Sequence, residues 1–234
     1  MTSLIQPVSV AAVRDQFQRS LPDFDAQSAV FQSVSEQLLE RLELLAISPE
    51  VVLDLGCRSG YQLEALQSRY PDAKIWGTEL AVLRERKKSG FFKTLFSRKD
   101  VPSSSVIESD PHTLPFADSS VGLVVSNLLL PWCHAPETVF SEVARVLKPD
   151  GVFMFTSAGP DTLREYRDLW SGIDTYTHTF GLVDMHDIGD ALLSAGFAAP
   201  VLDRDYVQVD YPDVTALQNE LRACLLYTSD AADE

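Results

Sequence analysis

Basic residues are scarce in this chain of 234: 19 lysines and arginines stand against 34 acids, for a net charge of −15. A protein that neutralises nucleic-acid phosphates needs a concentrated excess of the opposite kind, so no nucleic-acid partner is expected. Cysteine is equally sparse. Cys57, Cys133 and Cys224 lie far apart with no C-x-x-C pair, which excludes a disulfide framework or a cysteine zinc site and makes a reducing cytoplasm the expected compartment. Long apolar runs are missing too. The longest, Val121 to Trp132, is broken by Gly122, Ser126 and Asn127 and is too short to span a bilayer, and no secretory pattern opens the chain, so no membrane partner is expected. The four histidines, His112, His134, His178 and His186, have no metal-ligand spacing, and no metal is expected. Two nucleotide fingerprints are absent as well: no Gly-Lys-Ser/Thr for a phosphate loop and no Gly-x-Gly-x-x-Gly.

What is present is ordinary globular material, 45% hydrophobic and 23% charged, enough for one domain with a substantial core. Its organising stretch is Val51-Val52-Leu53-Asp54-Leu55-Gly56-Cys57-Arg58-Ser59-Gly60. Apolar residues broken by a single Asp read as a buried parallel strand, the glycines as a tight turn, and Tyr61 to Gln67 as a helix start. Strand, glycine turn and helix together make a nucleotide-binding corner.

From there strands and helices alternate, which predicts an α/β fold with a doubly wound, mostly parallel sheet. Strands are expected at 51–55, 73–78, 105–110, 121–127 and 152–156, with two more around 200–202 and 206–211, making seven. Helices are expected over Pro136–Leu147, stopped by Gly151, over Asp161–Trp170 and over Asp184–Ala195. Before the first strand, Val30, Phe31, Val34, Leu38, Leu42 and Leu45 recur at three- and four-residue steps, the stripe of a helix that packs on the sheet or closes over the cleft.

In such sheets ligands bind beyond the carboxyl ends of the strands, where the polar residues are Asp54, Glu79, Asp110 and Asn127. Unpartnered acids at partly buried strand ends are costly, so their recurrence points to a binding site.

The spacing Asp54-x-Gly56-x-x-x-Gly60 resembles the first motif of the class I S-adenosylmethionine methyltransferases. Ser126 to Cys133, Glu142 to Gly151, Gly159 to Arg167 and Asp184 to Asp190 further resemble the malonyl-[acyl-carrier protein] O-methyltransferases of the biotin pathway. The likeness runs from about residue 11 to 223. It implies one Rossmann-like domain over 1–223 with a helical lid over about 1–47, and methyl transfer from S-adenosyl-L-methionine to the free carboxylate of malonyl-acyl carrier protein or malonyl-CoA. It also implies a cofactor set in which Asp54, Gly56, Cys57 and Gly60 hold the methionine part, Glu79 the ribose and Asp110 the adenine amino group, with Asn127 beside them. Candidate substrate contacts are Phe24, Trp132, Arg167 and His178. Residues 224–234 match neither period and resemble a translated sequencing adapter, so the domain's own last helix is expected to stop after Ala223.

A carboxylate is ionised at neutral pH, so the implied reaction needs no general base and no catalytic acid or base is assigned. The chain departs from the family at Phe24, where Tyr is usual, at Arg58, where Gly is usual, and over Ser109-Asp110-Pro111-His112. Arg58 either displaces a glycine the loop requires or supplies a guanidinium to the cofactor carboxylate. Two other readings stay open: a protein arginine hydroxylase resembling a complex I assembly factor, and a non-catalytic copy of the fold. Arg84, Arg86, Lys87, Lys88, Lys93, Arg98 and Lys99 gather 7 of the 19 basic residues beside one acid, Glu85, and are the candidate docking surface for an acidic carrier protein.

Overall fold

The computed structural model describes residues 10–21, 24–26, 28–81, 106–173 and 181–223. Five strands form one parallel sheet: β1 (Val51–Leu55), β2 (Lys74–Glu79), β3 (Val106–Glu108), β4 (Val121–Ser126) and β5 (Leu147–Phe155), in the order β3-β2-β1-β4-β5. The alternation seen in β1 decides which residues go where. Val52 joins Leu123 and Val125 in the core on one face, and Leu53 and Leu55 join Val124 on the other. Helices α2 (Ala29–Leu42) and α3 (Leu63–Arg69) cover the first face through Leu38, Leu42, Leu63 and Leu66. Helix α4 (Pro136–Val146) covers the second through Val139, Val143 and Val146. The stripe foreseen before β1 therefore packs on the sheet, with Ser35 as a buried polar member.

The chain runs outward from β1 to β2 and β3, then returns to the far side of β1 for β4 and β5. That reversal leaves a crevice between the carboxyl ends of β1 and β4, the place where an open α/β sheet receives its ligand. Helix α1 (Val10–Ser20) crosses above these strand ends, burying Val13 and Phe17, with Leu21 just beyond it, against Leu80, Ala81 and Trp132.

Several expectations are corrected. The sheet among the described residues has five strands, not seven, because 200–202 and 206–211 form no ladder. Asp203 and Asp205 instead pair with Arg41 at the end of α2, and Val201 and Tyr206 remain solvent-exposed. An alternating pattern makes a strand only where an edge is offered to it. Helix α4 ends at Val146, before Gly151. Leu147 is already extended, Lys148 precedes a proline that disfavours helical backbone, and the left-handed residue is Asp150 at φ 61°. The surplus residues appear as a register shift between the pairs Val121–Leu147 and Leu123–Val152.

Helix α5 (Arg164–Ser171) begins three residues later than expected, after Leu163 at φ 56°. Helix α6 (Met185–Ser194) matches its expectation, with Asp184 as N-cap accepting from the backbone N–H of His186. Helix α7 (Val214–Ala223) is tied to α2 through Glu220, which accepts from Val30 N at 2.7 Å and from Tyr211 Oη at 2.8 Å. The segment 224–234, the basic stretch 84–99 and His178 lie outside the described residues. Among the described residues no helix is long and apolar enough to cross a membrane.

Candidate functional site

The turn after β1 is built for close approach. The N–H groups of Gly56 and Cys57 both donate to Thr78 O, at 2.9 and 3.0 Å, and Gly60 N donates to Cys57 O at 2.7 Å. Gly56 sits at φ 78°, and a Cβ there would meet Leu129 Cδ1 at 2.8 Å, so only glycine fits. Cys57 turns its side chain away from the crevice into the core, where Sγ packs against the bare backbone of Gly77. Burial, with the charges of Asp54 and Glu79 nearby, pushes its thiol well above the usual value, so it stays protonated.

Asp54 is fully buried at the end of β1, and neither carboxylate oxygen has a hydrogen-bond partner. Burial first, and then the charge of Glu79, raise its pKa to about 8. Glu79 ends β2 and is also buried, but its oxygens accept from Leu80 N at 2.8 Å and Arg58 N at 2.7 Å. Its pKa is raised by burial and held back by the Arg58 charge and those two N–H groups. An acid without a partner beside one with two leaves acceptor capacity that a cation or a hydrogen-bond donor could meet.

Beside Glu79 stands an aromatic wall. The guanidinium of Arg58 lies 3.5 Å from the ring centre of Phe17, with Phe24 at 5.7 Å and Trp132 at 5.8 Å. Arg58 itself is 8% exposed and adopts φ 52°, a left-handed conformation that glycine takes without strain. That φ belongs to the reading of Arg58 as a position glycine would suit, while the guanidinium meets aromatic rings of the protein itself. Phe17, Gly56, Glu79, Leu129 and Trp132 are among the residues lining a cavity here of about 20 Å³.

The remaining candidates divide. Asp110, just past β3, accepts from its neighbour His112 through the backbone N at 2.9 Å and the ring Nδ1 at 2.6 Å. Burial works against its charge, yet these contacts prevail and its pKa is lowered. Asn127 donates to Phe31 O at 2.9 Å and accepts from Thr156 Oγ1 at 2.6 Å, so its amide ties α2 to the end of β5. Arg167, on α5, donates to the carbonyls of Thr162 and Pro160 in the segment just before that helix. Phe24 and Trp132 are brought together at the cage.

Sequence reasoning missed Phe17 as a cage member. It also missed Ser28, Ser35, Gln62 and Thr78, all buried with a side-chain N or O atom that finds no partner. One signal was readable: Ser35 interrupts an apolar stripe between Phe31 and Leu38, where a polar residue costs stability unless something meets it. The tilted pair of His112 and His134, with ring centres 3.9 Å apart, was not foreseen either.

Residues 53–155, from β1 to the end of β5, match the methyltransferase domain family. A malonyl-[acyl-carrier protein] O-methyltransferase from Methylovorus is 38% identical over 224 residues, covering 95% of this chain and 75% of that protein. One of the same name from Nitrosospira multiformis is 38% identical over 221 residues, covering 90% and 72%. Among solved structures, the complex of the Haloferax volcanii Trm112 methyltransferase activator with a methyltransferase aligns at a TM-score of 0.64 and 22% identity, covering 91% of this chain and 90% of that one, a likeness of fold. With the strand-end acids and glycine turn in place and that identity spread along nearly the whole chain, the protein belongs to the malonyl-[acyl-carrier protein] O-methyltransferase family and is a methyltransferase that uses S-adenosyl-L-methionine.

Proposed function

We propose that this enzyme methylates the free carboxylate of the malonyl group carried on acyl carrier protein, early in biotin synthesis, with the cofactor bound across the carboxyl ends of β1, β2 and β4. One observation supports the cofactor placement above others: the partnerless carboxylate of Asp54. A fully buried acid with two unsatisfied oxygens is expensive, and a ligand bringing an amino group and a positive centre offsets that cost. Ser28, Ser35, Gln62 and Thr78 add unpartnered polar atoms on α2, at the start of α3 and at the end of β2. Glu79 keeps lone pairs free beyond its two backbone donors and suits vicinal hydroxyls.

The bound cofactor supplies an electrophilic methyl on sulfur with a neutral thioether leaving group. The protein's part is placement. Phe17, Phe24 and Trp132 give an apolar wall that excludes water from the reacting line, which leaves the substrate carboxylate less hydrated and more nucleophilic. Asp54 would meet the positive charge of the cofactor and Glu79 its vicinal hydroxyls, which would leave the methyl group to the substrate carboxylate. No residue has to take up a proton, since the nucleophile is already an anion.

The relatives' names specify the carrier protein and not coenzyme A. The basic stretch 84–99 supports carrier docking by its charge. Incubating the enzyme with labelled S-adenosylmethionine and either malonyl-acyl carrier protein or malonyl-coenzyme A tests the proposal. The expected outcome is a base-labile methyl ester on the carrier-bound substrate. Label appearing on a protein arginine or on neither thioester would overturn it.

A further inference from the structure

The cleft assigned to the cofactor is nearly closed in this structure. Small-molecule pockets measure roughly 300–1,000 Å³, whereas the cavity under α1 holds about 20 Å³. The group against its walls is the Arg58 guanidinium, 3.5 Å above Phe17 and near Trp132, two of the residues that line the cavity. Phe17 belongs to α1 and Trp132 to the turn after β4, so one cation is gripped by both sides of the crevice, while its own backbone N–H is held by Glu79 at 2.7 Å.

We propose that Arg58 is a tethered cation that closes this cleft: its guanidinium pins α1 over the strand ends and must leave the Phe17–Phe24–Trp132 cage before S-adenosylmethionine can enter. The inference rests on the cofactor placement proposed above. Its physical basis is an exchange of cations. Asp54 and Glu79 put two acids within a dry site, and Arg58 is the positive charge that lowers the cost of Glu79 in the closed state. The incoming sulfonium brings a second positive charge into the same low-dielectric space, and the two repel. The cation–π contact with Phe17 gives the closed state an attraction that a glycine in this position lacks. Apparent affinity is then the intrinsic affinity scaled by the fraction of molecules that are open.

Calorimetric titration with S-adenosylmethionine of wild type, Arg58→Ala, Arg58→Gly, Phe17→Ala and Asp54→Asn, together with amide exchange of α1 in the ligand-free proteins, tests it. Arg58→Ala and Arg58→Gly are expected to bind about tenfold more tightly than wild type, with Phe17→Ala shifted the same way, and their α1 amides to exchange faster before ligand is added. Tightening confined to Arg58→Gly would show that the loop backbone and not the guanidinium limits binding, and would overturn the proposal. So would weaker binding in both Arg58 variants, the behaviour of a direct cofactor contact, or unchanged exchange in α1. The Asp54→Asn protein separates the two layers. Lost binding there keeps the cofactor placement standing whatever the Arg58 variants do, and unchanged binding would sink the placement itself.

Discussion

Asp54 makes the chemistry of the site pH-dependent in a direction that can be worked out. Burial and Glu79 raise its pKa to about 8, above the ordinary carboxylate value of about 4. The folded, ligand-free chain therefore keeps a proton that the unfolded chain gives up, and the stability this contributes is fully present below about pH 4 and lost as pH rises through about 8. Thermal unfolding of the ligand-free protein, followed from about pH 5 to about pH 8, is expected to show a falling midpoint that flattens in Asp54→Asn. A cationic ligand selects the ionised carboxylate, so binding below about pH 8 releases a proton, and affinity rises with pH by up to about tenfold per unit. Calorimetry in two buffers of different ionisation enthalpy counts that proton directly. Equal apparent enthalpies in both would contradict the assignment of Asp54. Glu79→Ala, by contrast, is expected to weaken the cofactor and also the fold, because it strips two backbone donors of their acceptor, at about 1–3 kcal/mol each.

At the level of elements, the side-chain amide of Asn127 ties α2, through Phe31, to the end of β5, through Thr156. Asn127→Ala leaves a buried carbonyl and a half-buried hydroxyl without their partner and is expected to cost about 1–3 kcal/mol in denaturant unfolding. A loss below about 0.5 kcal/mol would mean that water replaces the amide. The elements also show what a sequence reveals and what it hides. The strand-turn-helix of residues 51–69, the helix at 136–146 and the capped helix at 185–194 were legible because period, glycine and N-cap all act locally. The segment 206–211 misled because alternation says which face a strand would bury and nothing about whether an edge is open to it. Asp54, Gly56 and Glu79 were legible from their places at strand ends. The cage around Arg58 was not, since Phe17, Phe24 and Trp132 are brought together only by tertiary packing.

Across the whole molecule the charge is lopsided: net −15, with seven basic residues concentrated between Arg84 and Lys99. Changing Lys87, Lys88 and Lys93 to Glu is expected to slow methylation of carrier-bound substrate while sparing the coenzyme A thioester, and the defect should shrink as salt is added. Equal slowing on both thioesters at all salt concentrations would rule out docking through this stretch. The buried acid at the end of β1 carries a consequence for the living cell as well. A chain that is costly to fold alone and is relieved by its ligand gains stability as RT ln(1 + [L]/Kd), about 2.7 kcal/mol at a hundredfold excess over Kd. Proteolytic turnover follows the unfolded fraction, so the half-life of this enzyme is expected to lengthen in methionine-fed cells and shorten in starved ones. On the cofactor placement proposed above, its abundance is expected to follow the supply of its methyl donor.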